Sequence, residues 1–172
     1  MATKWNLDPS HSEVQFKVKH MVISTVSGEL QIFNAAIEAE NDDFSHAKIS
    51  FSADVNSINT KNKDRDNHLK ATISFAANQY PEIKFTSTSG IENGKIAGDL
   101  EIKGISKPVV LDADFGGVIN DPFGFVRAGF EISGKINRKD FGLSWSQTTE
   151  AGGLVVSDEV KLIANVEFTK AQ

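Results

Sequence analysis

The sequence predicts an all-β domain in which eight antiparallel strands close into a barrel, and three observations carry that expectation. Apolar and polar residues alternate with period two along most of the chain, the mark of strands with one dry and one wet face. No amphipathic helix of adequate length is available to cover the apolar faces, so the sheet must close on itself or fold into a sandwich. The runs are also long and mostly linked by short turns, which favours a barrel.

The first run places Val14, Phe16, Val18, His20 and Val22 on one face and Glu13, Gln15, Lys17 and Lys19 on the other. The second starts at Gly28 with Leu30 and Ile32 and continues as Phe33, Ala35, Ile37 and Ala39, so its apolar set changes parity. One extra residue restores the parity, which predicts a β-bulge near residues 31–33. The third run carries Ile49, Phe51, Ala53 and Val55, and the fourth is short, with Ile83 and Phe85. The fifth holds Ile96, Gly98, Leu100 and Ile102 behind Asn93-Gly94, a tight-turn pair in which both positions accept positive φ. The sixth holds Val109, Leu111, Ala113 and Phe115. After the loop Asn120-Asp121-Pro122-Phe123-Gly124 comes the seventh, with Val126, Ala128, Phe130, Ile132, Gly134 and Ile136. The eighth holds Val160, Leu162, Ala164, Val166 and Phe168. Residues 60–77 break the alternation and are polar over their first half; they predict a short helix or structured loop pinned by Leu69, Ile73 and Phe75. Residues 141–156 predict a second loop with a Gly152-Gly153 hinge.

A length of 172 residues fits one domain spanning 1–172. Eighteen Lys+Arg against 23 Asp+Glu leave a net charge of −5, which disfavours a surface built to neutralise nucleic-acid phosphates. No apolar run approaches the roughly 18–20 residues of a membrane-spanning helix. Absence of cysteine excludes disulfides, thiolate metal sites and a Cys nucleophile. Met1-Ala2-Thr3-Lys4-Trp5 has no apolar core of a leader, so the chain at face value is cytoplasmic, or periplasmic if a leader has been removed.

The inward positions include the small residues Ala39, Ala53, Gly98, Ala113, Ala128, Gly134 and Ala164, and Phe16, Phe51, Phe85, Phe115 and Phe130 fill only part of the space these leave. Two outcomes stay open: small and large residues interleave to full density, or a cavity accepts a ligand. Catalytic motifs are missing, and the histidines at 11, 20, 46 and 68 are too scattered to predict a metal site. His46 reads as solvent-exposed. His20 points inward and reads either as a hydrogen-bonded core residue or as a polar contact for a ligand. Arg65-Asp66-Asn67-His68-Leu69 reads as a local structural network, as a ligand contact, or as an Asp66/His68 acid–base pair. Arg138 and Asp140 form a second charged pair beyond the seventh strand, suited to a phosphate or carboxylate, or to an ordinary loop-closing ion pair.

Trp5-x-x-Asp8-x-x-His11-Ser12, Phe16-x-Val18-x-His20 and Ser57-Ile58-x-Thr60 occur in order with Arg65-Asp66-x-His68-Leu69 and Tyr80-Pro81-x-Ile83-x-Phe85. Gly98-Asp99-Leu100-x-Ile102-x-Gly104, Lys107-Pro108-Val109, Arg138-x-Asp140-Phe141-Gly142-x-x-Trp145 and Asp158-x-Val160 follow. This series, spread over essentially the whole chain, resembles the YceI-like proteins. The resemblance implies a lipocalin-like eight-stranded barrel that holds a long-chain amphiphile, a polyisoprenoid such as a prenyl diphosphate or an isoprenoid quinone, with no established reaction and no cofactor. It leads us to expect a tail tunnel lined by Phe16, Val18, Phe51, Phe85, Leu100 and Phe130, with Phe141 and Trp145 at its entrance. His20, Arg65, His68 and Arg138 are the expected contacts to the head group. Leu30 stands where the family commonly carries an aromatic residue, which widens one section of the cavity if its side chain points inward. The alternatives are an enzyme using Asp66 and His68 on a lipid-like substrate, or a filled barrel with a structural or protein-binding role. Pairing of two copies stays open.

Overall fold

Eight runs of alternating residues demand eight places around a sheet, and the chain fills them with strands interrupted at three points. A computed structural model describes residues 2–20, 23–70, 79–142 and 156–171; for His20, Arg65, His68, Leu69, Lys70, Val156 and Ser157 it describes the backbone alone. The strands are β1 (Thr3–Leu7), β2 (Glu13–His20), β3 (Ser24–Leu30), β4 (Phe33–Ala39), β5 (Lys48–Asp54), β6 (Ile58–Asn59), β7 (Glu82–Ser87), β8 (Lys95–Ile102), β9 (Ile105–Asn120), β10 (Val126–Asn137) and β11 (Val156–Lys170), and the helix α1 spans Lys63–Lys70. The order β1-β4-β5-β7-β8-β9-β10-β11 closes on itself through a β1–β11 pairing, which makes an eight-stranded antiparallel barrel. Beside it, β2 pairs with β11 and β3, and β3 pairs with β6. The segments β1 and β2 therefore share one place in the ring, β3 and β4 share the next, and β5 and β6 the third.

The β-bulge expected at residues 31–33 is instead a break in the strand, between β3 and β4. Leu30 is buried, Ile32 is turned out to solvent and Ala35 is buried again, so the parity switches there. The backbone groups stay paired across the break, with Gln31 N donating to Ser57 O and Asp54 N to Ile32 O. Asn93 and Gly94 both take positive φ, as the turn requires, and Lys103-Gly104 repeats this device between β8 and β9. An unpredicted bulge lies in β9: Gly129 pairs with Gly117 and Phe130 with Phe115, which leaves Gly116 over.

The N-terminal strand β1 was not legible as a run, because five residues hold only Trp5 and Leu7 as apolar signals before Asp8 and Pro9 end it. The polar segment after β6 forms α1; its predicted anchors Ile73 and Phe75, like Val22 and Trp145, lie outside the described residues.

Inward side chains form two apolar clusters. One, towards the α1 end, contains Ile83, Phe85, Leu100, Ile102, Ile136 and Phe141. The other, towards the β9–β10 hairpin, contains Trp5, Phe44, Ala128, Phe130 and Phe168. Ile49, Phe51, Ile91 and Ile132 pack against both.

Candidate functional site: an apolar cavity within the barrel

A cavity of about 160 Å3 lies between the two clusters. Its walls come from most strands of the ring, and among the described residues every lining residue apart from Gln15 and Ser133 is apolar. Those two stand in the opposite parity row, paired through Ile163. Ile49, Phe51, Ile132, Leu162 and Ala164 point inward and still keep accessible surface, which faces the cavity.

Cross-strand neighbours determine which small residues leave space. A β-carbon at Gly98 would lie 2.6 Å from Phe85 Cζ, so that glycine is a seat for a ring. Gly28 seats Phe16 and Gly134 seats Leu111 in the same way. Ala35 and Ala164, by contrast, border the open volume. Both outcomes left open by the sequence thus occur in one barrel: interleaved packing at the glycines, and a void between the clusters.

Of the residues expected to line a tunnel, Phe51, Phe85, Leu100 and Phe130 are brought together on the cavity wall. Phe16 and Val18 do not border it; Phe16 is committed to Gly28, and both stand on β2 towards the α1 end. Phe141, expected at an entrance, is 2 % exposed and belongs to the α1-end cluster, drawn in by the turn of Arg138–Phe141 that Gly142 closes in the left-handed conformation. Leu30 does point inward and lines the cavity. Ile37, Ile91 and Val166 also line it. Parity marked Ile37 and Val166 as inward, whereas Ile91 sits outside the strands and carried no periodic signal.

The expected head-group residues collect at the α1 end as far as they are described. His20 closes β2, its backbone paired with Ser24 and Val156. Arg65 and His68 stand on α1, next to β6. Arg138 is buried, with its guanidinium 3.6 Å from Asp158, which also lies 3.4 Å from Lys139 Nζ. Burial pushes the Arg138 guanidinium below its ordinary value, and the Asp158 charge opposes that shift. Asp66 is occupied: its Oδ1 accepts from Thr60 N at 2.8 Å and from Thr60 Oγ1 at 2.5 Å. His46 is exposed, as its turn position suggested.

In a second polar cluster, on the outer wall, Asp8 and His11 belong to the first motif of the family resemblance, but nothing in the sequence joined them to Arg127 and Glu167. Arg127 donates to Asp121 at 2.7 Å, to Asp8 at 2.8 Å and to Glu167 at 3.0 Å, and His11 Nδ1 lies 2.8 Å from Asp8. Asp8, His11 and Glu167 could together face a cation, but the Arg127 guanidinium already donates to both carboxylates and supplies the neutralising charge. The cluster ties the β1–β2 crossover to the β9–β10 hairpin. Asp8 is held well below the usual carboxylate range by the Ser10 hydroxyl first, then by His11 and Arg127. Asp121 is lowered chiefly by Arg127, whose own pKa is raised in return.

A closed antiparallel barrel with an apolar chamber, its lining free of charged groups among the described residues, defines the class: a lipocalin-like internal-cavity β-barrel. The chain belongs to the family of the YceI-like domain, whose sequence profile matches residues 5–168. It is 38% identical over 168 residues to UPF0312 protein SA2479 of Staphylococcus aureus strain N315, covering 97% of this chain and 98% of that one. Among solved structures, the Campylobacter jejuni YCEI protein shares 35% identity and a TM-score of 0.75 over 90% of both chains. Burkholderia cenocepacia BcnA has the same fold at 19% identity, with a TM-score of 0.80 over 94% of this chain and 98% of its own. A polyisoprenoid binding domain from Saccharophagus degradans does so at 15% identity, with a TM-score of 0.74 over 97% and 98%. Among the described residues, no helix is long and apolar enough to cross a membrane.

Proposed function

We propose that the protein binds the hydrocarbon tail of a long-chain amphiphilic lipid, a polyisoprenoid above all, and carries or stores it without chemical change. The observation that carries this reading is the apolar cavity at the centre of the barrel. Burial of each methylene-sized group contributes about 0.8 kcal/mol, and hydrocarbon needs no directional partner, so an apolar lining suffices for a tail. Dry apolar cavities of about 150 Å3 in other proteins admit benzene or xenon. By that measure this cavity accepts a prenyl-sized segment, and we place the rest of a longer chain towards the α1 end, where the candidate head-group residues stand. There Arg138 is our candidate for an anionic head group, with His20, Arg65 and His68 as further candidates. The ligand named for the Saccharophagus degradans domain supports the same class. Against an enzyme with an Asp66/His68 pair stands the engagement of Asp66 Oδ1 by both donors of Thr60.

Native mass spectrometry of gently purified protein tests the reading. We expect a co-purified lipid, or uptake of added farnesol and farnesyl diphosphate with unchanged ligand mass after incubation. Arg138→Gln should weaken the diphosphate far more than the alcohol. A clean apo mass from several hosts, together with failure to take up either probe, would overturn the proposal.

A further inference from the structure

At the hairpin end of the cavity the wall is two rings deep. Phe130 and Phe168 line the chamber. Behind Phe130 stands Phe44, fully buried, edge-on to Phe130 at 5.0 Å and to Phe115 at 5.3 Å, and 5.2 Å from the ring of Trp5. Phe115 stacks on Phe130 at 5.1 Å, so Phe130 is held from two sides. Phe44 comes from none of the strands. It sits in the loop between β4 and β5 with a φ of 61°, a backbone conformation that a bulky residue rarely adopts. The surroundings enforce it. Its carbonyl accepts from Ile91 N at 2.9 Å and from Ala47 N at 3.2 Å, and Asp43 Oδ1 accepts from Ser45 N at 3.0 Å. Gly90 lets the two loops nest, because a β-carbon there would lie 2.8 Å from His46 N and closer still to Ser45 O. A strained residue kept in place by this much local bonding points to a role for its side chain.

We infer that Phe44 sets the depth of the cavity and thereby the length of hydrocarbon tail the protein retains. This rests on the lipid-binding reading and adds its specificity determinant. A tail entering from the α1 end stops at Phe130, because Phe44 and Phe115 occupy the space into which that ring would have to turn. Each further carbon must then overpack the wall or leave a carbon outside, and both disfavour the longer chain.

The test compares wild type with Phe44→Gly against geraniol, farnesol and geranylgeraniol, scored by native mass spectrometry and by competition with a fluorescent polyene fatty acid. Glycine is the chosen truncation because it accepts positive φ and so relieves backbone strain while it removes the ring. Geraniol retention should change less than about twofold, while the preference for the longest retained alcohol over the next shorter one rises at least about tenfold. In crystals under xenon pressure, the variant should show xenon density extending from the chamber into the place of the missing ring. Phe115→Leu, a smaller truncation of the same wall, should shift the preference in the same direction and carries the test if Phe44→Gly does not fold. A folded variant with an unchanged length preference overturns the assignment of Phe44. Failure of wild type to retain any of the three alcohols is a different result, which overturns the lipid reading and this proposal with it.

Discussion

The ring of Phe16 occupies the space over Gly28 across the β2–β3 pair, where a β-carbon would lie 2.6 Å from Phe16 Cε1. The two residues face each other directly in the register, so the glycine is a packing requirement and not a turn. Gly28→Ala should destabilise by about 1–3 kcal/mol, the usual cost of overpacking. Urea denaturation of Gly28→Ala, Phe16→Leu and the double variant measures it. We expect the double variant to recover part of the loss, whereas simple additivity would show that the two side chains do not compete for the space.

The outer ionic cluster predicts an acid-sensitive fold. Asp8 and Asp121 are both held below their ordinary values in the folded protein. Their contribution is therefore complete above about pH 4, where the unfolded carboxylates are ionised, and is lost as the pH falls through the lower folded values. Melting temperature should stay level from pH 7 to about pH 5 and drop below pH 4. Arg127→Gln should flatten that drop, more through Asp121 than through Asp8, whose largest partner is the Ser10 hydroxyl. Parallel acid limbs for wild type and variant would contradict this account.

Two alanines separate open space from packed space. Ala164 borders the cavity, while Ala128 is 1 % exposed within the hairpin-end cluster. Ala164→Phe should fill the chamber, change stability by less than about 1 kcal/mol and abolish uptake of farnesol. Ala128→Phe should cost about 1–3 kcal/mol or more. Thermal melts with a farnesol uptake assay distinguish them, and equal destabilisation would mean that the cavity is not available to a side chain.

Thr60 is buried, and its N–H and hydroxyl both donate to Asp66. Asp66→Ala removes that acceptor, so the fold should lose about 1–3 kcal/mol. Lipid retention should fall no further than the stability loss explains. A variant that folds as well as wild type yet no longer converts a bound lipid would instead restore the acid–base alternative.

Strand faces were legible from residues as ordinary as Ile96, Leu100 and Ile102, because the pleat sends alternate side chains to opposite sides whatever the tertiary context. The break near Ile32 was legible for the same reason, since a parity change has a local cause. Phe44 and Ile91 were not. They reach the core from loops, through a left-handed backbone and a loop–loop hydrogen bond, and no periodicity reports either. Arg127 meets Asp121 within its own hairpin, but its partners at positions 8 and 167 come near only once β10 and β11 are paired and β1 has closed the ring.

The sequence by itself determined that this chain is a sheet with an apolar inner face and favoured a barrel over a sandwich, because alternation, turn pairs and the lack of a covering helix are properties of neighbouring residues. Only the tertiary structure decided where that interior is empty. Gly28, Gly98 and Ala164 read alike as small inward residues, yet the first two receive the rings of Phe16 and Phe85 while the third borders the void. Filling depends on which side chains the register sets opposite one another across the barrel, and that is a relation between strands, not a property of any one of them.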